Sequence, residues 1–211
     1  MENLNDLVTN RINAKIAKGM TNAKNTIEVL TRDHKASRDF IFEVGTLNRG
    51  VMTKIDFKPD TTGKVGATFT LPSGMEDFTM NIHAVRQVAE KLSIPTAYLT
   101  ALLFGQAWER DLAYDILNRH NGWKDRNKVL VRAVGTEVRA VLTDSYRRLN
   151  SELIISNHLE EVFSNGAVVS DGWIDSTKVM IEGMLPYPIE LRTELNGSIF
   201  LAFGTRYSTS D

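Results

Sequence analysis

Six side chains in the middle of this 211-residue chain combine the chemistry needed to hold a nucleic acid: Arg132, Arg139, Arg147 and Arg148, with Trp123 and Tyr146. Arginine neutralises phosphate and can grip it through two parallel N–H donors, while an aromatic face stacks on an unpaired base. The surrounding segment is the most basic in the chain. Between Arg110 and Arg148 nine Lys and Arg stand against five Asp and Glu, whereas residues 149–211 carry three against nine. Anion contact at a strand end is one reading of this pattern. The other is structural: Arg147 or Arg148 pairs with Asp144 or with a carboxylate of the acidic C-terminal third, and Tyr146 is a packing anchor.

Other chemistries find less support. The chain has no cysteine, which excludes disulfides, thiol catalysis and cysteine-ligated metals. His34, His83, His120 and His158 form no compact metal signature and read as structural or solvated. In DGWID, Asp171 and Asp175 could bind magnesium only if the chain bent between them, so an exposed acidic turn is the simpler expectation. GTLNRG and TTGKVG depart from the phosphate-loop pattern, and no GxSxG nucleophile elbow occurs. The expectation is a noncatalytic protein without a cofactor. A formal net charge of −1 argues against the strongly basic footprint of many dedicated nucleic-acid binders, yet leaves room for a local basic face. No apolar run approaches the roughly 20 residues of a membrane helix. MENLNDLVTNRINAK lacks the basic start and apolar core of a signal peptide, so no membrane partner is expected.

The elements that must position these residues follow from periodicity. Leu4, Leu7, Val8, Ile12 and Ile16 make a helical stripe that Gly19 weakens and Ile27 and Leu30 resume. Residues 1–32 therefore read as a helical arm or docking segment, with DHKASRD (33–39) a charged linker. Strands are predicted at Phe40–Val44, Val51–Phe57 and Val65–Leu71, punctuated by LNRG, KPDTTGK and Pro72-Ser73-Gly74. Asn81 caps a helix whose apolar face is Val85, Val88, Ala89 and Leu92; Pro95 starts a second. A third helix carries Trp108, Leu112, Ile116 and Leu117, with Trp108 in the core or at its rim. Val129–Val134 and Val138–Leu142 form a hairpin around Gly135-Thr136, ahead of a helix over Ser151–Phe163. Further strands are expected at Ala167–Val169, Thr177–Leu185, Ile189–Leu191 and Ser198–Phe203, with a solvated STSD at the end. The class is α+β: an antiparallel sheet packed with a central helical layer, in one mixed domain over 33–211.

Arg139, Ala140, Val141, Leu142, Thr143, Asp144, Ser145, Tyr146, Arg147, Leu149 and Asn150 resemble a strand-associated motif, R-A-V/F-L-S-D-R-Y-R-x-L-D/N, of an uncharacterised family of phage- and plasmid-borne proteins. Thr143 replaces the usual Ser and keeps a hydroxyl. Ser145 replaces the usual Arg and removes a phosphate fork. NIHAVRQVAEKLSIPTAYL (81–99) is similar to that family's helical segment, so the resemblance covers roughly Phe78–Phe163. It implies a mobile-element protein in the bacterial host cytoplasm. Two functions fit that setting. One is noncatalytic nucleic-acid binding by a homo-oligomer, with single-strand DNA annealing during recombination as its mechanism, by analogy with ring-forming phage recombination proteins. The other is a virion structural or assembly protein whose partners are phage or host proteins.

Overall fold

The computed structural model describes residues 4–45, 47–48, 51–120, 128–146, 151–175, 178–192, 198–201 and 204–210. In chain order its elements are α1 (Leu4–Ala36), β1 (Ser37–Glu43), β2 (Leu47–Asn48), β3 (Val51–Met52), β4 (Lys54–Pro59), β5 (Val65–Leu71) and β6 (Gly74–Met80). Three helices follow: α2 (Ile82–Lys91), α3 (Thr96–Leu103) and α4 (Ala107–Arg119). Then come β7 (Lys128–Val134), β8 (Glu137–Thr143), α5 (Ser151–Ser164), β9 (Val168–Ile174), β10 (Lys178–Met184), β11 (Ile189–Arg192), β12 (Ser198–Leu201) and β13 (Gly204–Ser210). The fold is α+β, with helices interspersed among the sheets.

The chain divides into two compact units. Ala36–Arg148 is one, and Met1–Lys35 with Leu149–Asp211 is the other. The amino-terminal helix thus belongs with the carboxyl-terminal third, where the sequence suggested an arm preceding a single domain. The expected linker at 33–39 is instead the end of α1 and the start of β1.

In the central unit six strands run in the order β1-β7-β8-β6-β5-β4, antiparallel except for a short parallel join of β6 to β8 at Thr79–Glu137 and Met80–Val138. Alternation fills one face with Phe42, Ile55, Phe57, Ala67, Phe69, Phe78, Val129 and Val131. The sheet curls strongly. Phe42 of β1 meets Phe69 of β5 edge to face at 5.2 Å, and Gly45 N–H donates to Thr53 carbonyl at 2.8 Å. The Thr53 hydroxyl also donates to the Glu43 carbonyl, so the end of β1 approaches the start of β4. Helices α2, α3 and α4 pack in series; α2 lies on β8, α4 lies on β4, and Val85, Val88, Leu99, Ala113 and Leu117 join the same core. The Asn118 side-chain amide stands in for a strand partner at β4: Phe57 N–H donates to its Oδ1 at 2.8 Å, and its Nδ2 donates to Phe57 carbonyl at 2.8 Å. That shields part of an edge strand.

Trp108 is not core: it is 62% exposed. The buried face of α4 is Ala113, Tyr114 and Leu117, and at 3.6 residues per turn Trp108 lies half a turn away from Leu117.

In the flanking unit β10 runs between β9 and β13, while β11 and β12 make a separate hairpin. Ala23, Ile155, Val169, Val179 and Ile181 form its core, with Ile27, Leu30 and Leu159 against them. Helix α1 approaches β9 at backbone distance. A Cβ on Gly19 would fall 1.5 Å from the Ser170 carbonyl oxygen, and one on Gly172 would fall 2.4 Å from Ala23 Cα. Gly19 is therefore where the helix docks, whereas its sequence reading was a weak point. DGWID is not a turn either: Asp171–Ile174 lie in β9, opposite β10. The expected solvated STSD is largely in β13, paired with β10. Glu182 on β10 joins Lys15 at 2.7 Å and Arg206 at 2.9 Å.

Candidate nucleic-acid interface

The predicted hairpin forms, with β7 and β8 antiparallel around Gly135 at φ 59°. One register shift lies in it. Val138 faces Ala133 and Ala140 faces Arg132, which leaves Arg139 as the extra residue of a bulge. Arg139 is partly buried, and its Nε lies 3.4 Å from Glu137 Oε2. It therefore stands beside, rather than opposite, the arginine of the neighbouring strand.

Arg132 does not offer a fork to phosphate. Its register partner on β1 is Asp39, and the guanidinium Nε and Nη2 donate to Asp39 Oδ1 and Oδ2, each at 3.0 Å. Arg132 is only 6% exposed. Burial works against its charge, but the Asp39 carboxylate and then Tyr146 more than offset this, and its pKa ends above the ordinary arginine value. Arg132 was expected to meet phosphate; in the fold its guanidinium meets Asp39 instead. This is a correction with a simple cause: a charged side chain at a central strand position is stable only when paired.

The same guanidinium lies 5.2 Å from the centroid of the Tyr146 ring. Tyr146 follows the turn that ends β8, its N–H donating to Thr143 carbonyl at 3.0 Å. Arg132 thus backs the ring through a cation–π contact. A groove of about 360 Å³ opens beside Tyr146 between α2 and β8. Gln87, Glu90 and Lys91 line it from the helix, and Val141, Leu142 and Thr143 line it from the strand. It exists because β8 outruns its partner: β6 ends at Met80 and the chain turns into α2. Asn81 caps that helix, accepting from Ala84 N–H at 2.7 Å. Gln87 Oε1 accepts the Val141 N–H at 2.8 Å, taking the place of a strand on that edge.

Trp123, Arg147 and Arg148 lie outside the described residues, so of the six predicted residues the structure joins Arg132 to Tyr146 and sets Arg139 in the bulge. Asp39 and Gln87 were not singled out by sequence. Asp39 is 93 residues from Arg132 along the chain and carried no periodic signal. Gln87 is polar at a position near an otherwise apolar helix face, a faint mark of a structural hydrogen bond. Among the described residues no group of three His, Asp or Glu is placed to hold a metal, and no helix is long and apolar enough to cross a membrane.

Together these features define an α+β protein with an aromatic-ended groove of mixed apolar and polar lining at a strand terminus. No protein-family model, curated protein or solved structure matches the chain.

Proposed function

We propose that the central unit binds single-stranded nucleic acid without catalysis. The observation that carries this reading is Tyr146, its ring backed by the buried Arg132 that Asp39 pairs, while it lines an open groove. A base enters from the groove and stacks on Tyr146; Gln87, Glu90 and Thr143 offer polar groups to its edge. Lys91 brings positive charge to the groove, and Arg147 and Arg148, next to Tyr146 in sequence, supply phosphate contacts. Arg132 acts in this scheme as a support. The motif resemblance supports a phage or plasmid protein of the bacterial host cytoplasm; work as a homo-oligomer in single-strand annealing follows only by analogy with ring-forming phage recombination proteins. Oligomerisation would multiply a modest site on each chain.

Fluorescence anisotropy with a labelled oligothymidylate and a matched duplex, across a salt series, tests the reading. The expected result is preferential, salt-sensitive single-strand binding that Tyr146→Ala weakens by roughly fivefold to a hundredfold. Tyr146→Phe should retain most of it, and Arg147→Gln and Arg148→Gln should each lower the salt slope by about 0.7. A folded protein that binds neither strand form at low salt overturns the reading and favours virion assembly.

A further inference from the structure

A second cavity in the central unit, distinct from the Tyr146 groove, has about 430 Å³ and lies where the β4–β5 turn, the start of α2 and the α3–α4 corner converge. We propose that it takes a small organic anion with an aromatic or branched apolar body.

Its walls divide by chemistry. Val65, Met80, Leu103 and Phe104 supply apolar surface. Phe104 is 74% exposed, a large ring left in water beside an apolar hollow. Lys64 and Arg110 also line the cavity, and among the described residues neither forms an ion pair with a carboxylate. Carboxylates stand nearby: Glu137 lines the wall, and Asp60 lies within electrostatic reach of Lys64. Asp60 accepts from the backbone N–H groups of Thr62 and Lys64, each at 2.8 Å, and Glu137 is paired with Arg139. That leaves Arg110 as the lining cation without a carboxylate partner among the described residues, beside the Tyr114 phenol.

Two neutral polar groups also belong to the wall. Tyr114 is 8% exposed and lines the cavity. Burial raises its pKa, so the phenol stays protonated and can donate. Asn81 uses Oδ1 to cap α2, which fixes the amide orientation and leaves Nδ2 buried without a partner. Buried donors are ordinarily satisfied, and a donor left open beside a cavity is satisfied by what fills it. An anionic head between Arg110, Tyr114 and the Asn81 amide, with its apolar body against Leu103, Met80 and Phe104, meets each of these demands. The unpaired Arg110 and the Asn81 donor favour an anion; the apolar walls favour one larger than chloride or phosphate.

The probe is 8-anilinonaphthalene-1-sulfonate, an aryl anion that brightens when desolvated, titrated into the full-length chain with circular dichroism confirming the fold of each variant. The expected result is saturable one-site binding that Arg110→Gln weakens about tenfold and Tyr114→Phe about fivefold. Neutral N-phenyl-1-naphthylamine should bind more weakly and be indifferent to Arg110→Gln. Tyr146→Ala should leave the probe unaffected, which separates this site from nucleic-acid binding. Non-saturable brightening, equal affinity for the neutral compound, or unchanged binding in both Arg110→Gln and Tyr114→Phe overturns the proposal.

Discussion

Asp39→Ala is the sharpest probe of the hairpin. It removes both acceptors of Arg132, whose side chain is 7% exposed, while Asp39 is 26% exposed and partly screened by water. Leaving one partner of a fully buried pair uncompensated costs about 3–5 kcal/mol. The exposure of Asp39 lowers this to about 2–3 kcal/mol. Arg132→Met removes the charge and keeps an apolar stem, so it should cost less than Asp39→Ala, and the double variant should recover part of the loss. Urea unfolding, with hydrogen exchange of the β7 and β8 amides to assign the transition to the central unit, measures the cycle. If Asp39→Ala changes stability by less than about 0.5 kcal/mol, the pair is not a buried clamp. The binding assay supplies an independent check. Arg132→Met should lower single-strand affinity while leaving the salt slope unchanged, because the support of Tyr146 is lost but no phosphate contact is. A fall of about 0.7 in that slope would show that Arg132 meets phosphate and would refute the assignment.

Three further outcomes are expected. Asn118→Ala uncovers the N–H and carbonyl of Phe57 and should cost about 1–2 kcal/mol, seen as faster exchange of the Phe57 amide. Gly172→Ala drives a Cβ into the backbone of α1 and should destabilise the flanking unit by about 1–3 kcal/mol, read by thermal unfolding and proteolysis of α1. Glu182 has its pKa lowered by Lys15 and then Arg206, so its contribution to stability is present above the ordinary glutamate range and is lost as pH falls through the depressed folded value. Acid titration of flanking-unit stability should show this loss, and Glu182→Gln should flatten it.

Elements whose own side chains carry the pattern were legible in the sequence. Strand β5 has the predicted bounds, Val65–Leu71, because both ends are marked by turn residues and the interior is β-prone. The β7–β8 hairpin, the Asn81 cap and the Pro95 start of the next helix are equally local. Strand β6 was missed: in GMEDFTM only Phe78 and Met80 are buried, and Glu76 and Asp77 hide the alternation. The start of β1 read as linker because Arg38 and Asp39 are charged, and their partners lie far along the chain: Glu76 for Arg38 and Arg132 for Asp39. The candidate site divides the same way. Tyr146 could be picked out by its residue type and its arginine neighbours, but whether Arg132 was a ligand contact or a structural cation depended on a strand pairing that no local pattern encodes.

The two-unit division also sets an order of events during synthesis. The central unit is continuous in sequence, so it can close as soon as β8 has left the ribosome. Helix α1 is made first, yet β9, the strand its Gly19 and Ala23 rest on, starts roughly 130 residues after the helix ends. At elongation rates of about 5–20 residues per second that is a wait on the order of ten seconds, during which the apolar side of the helix has no native partner from its own chain.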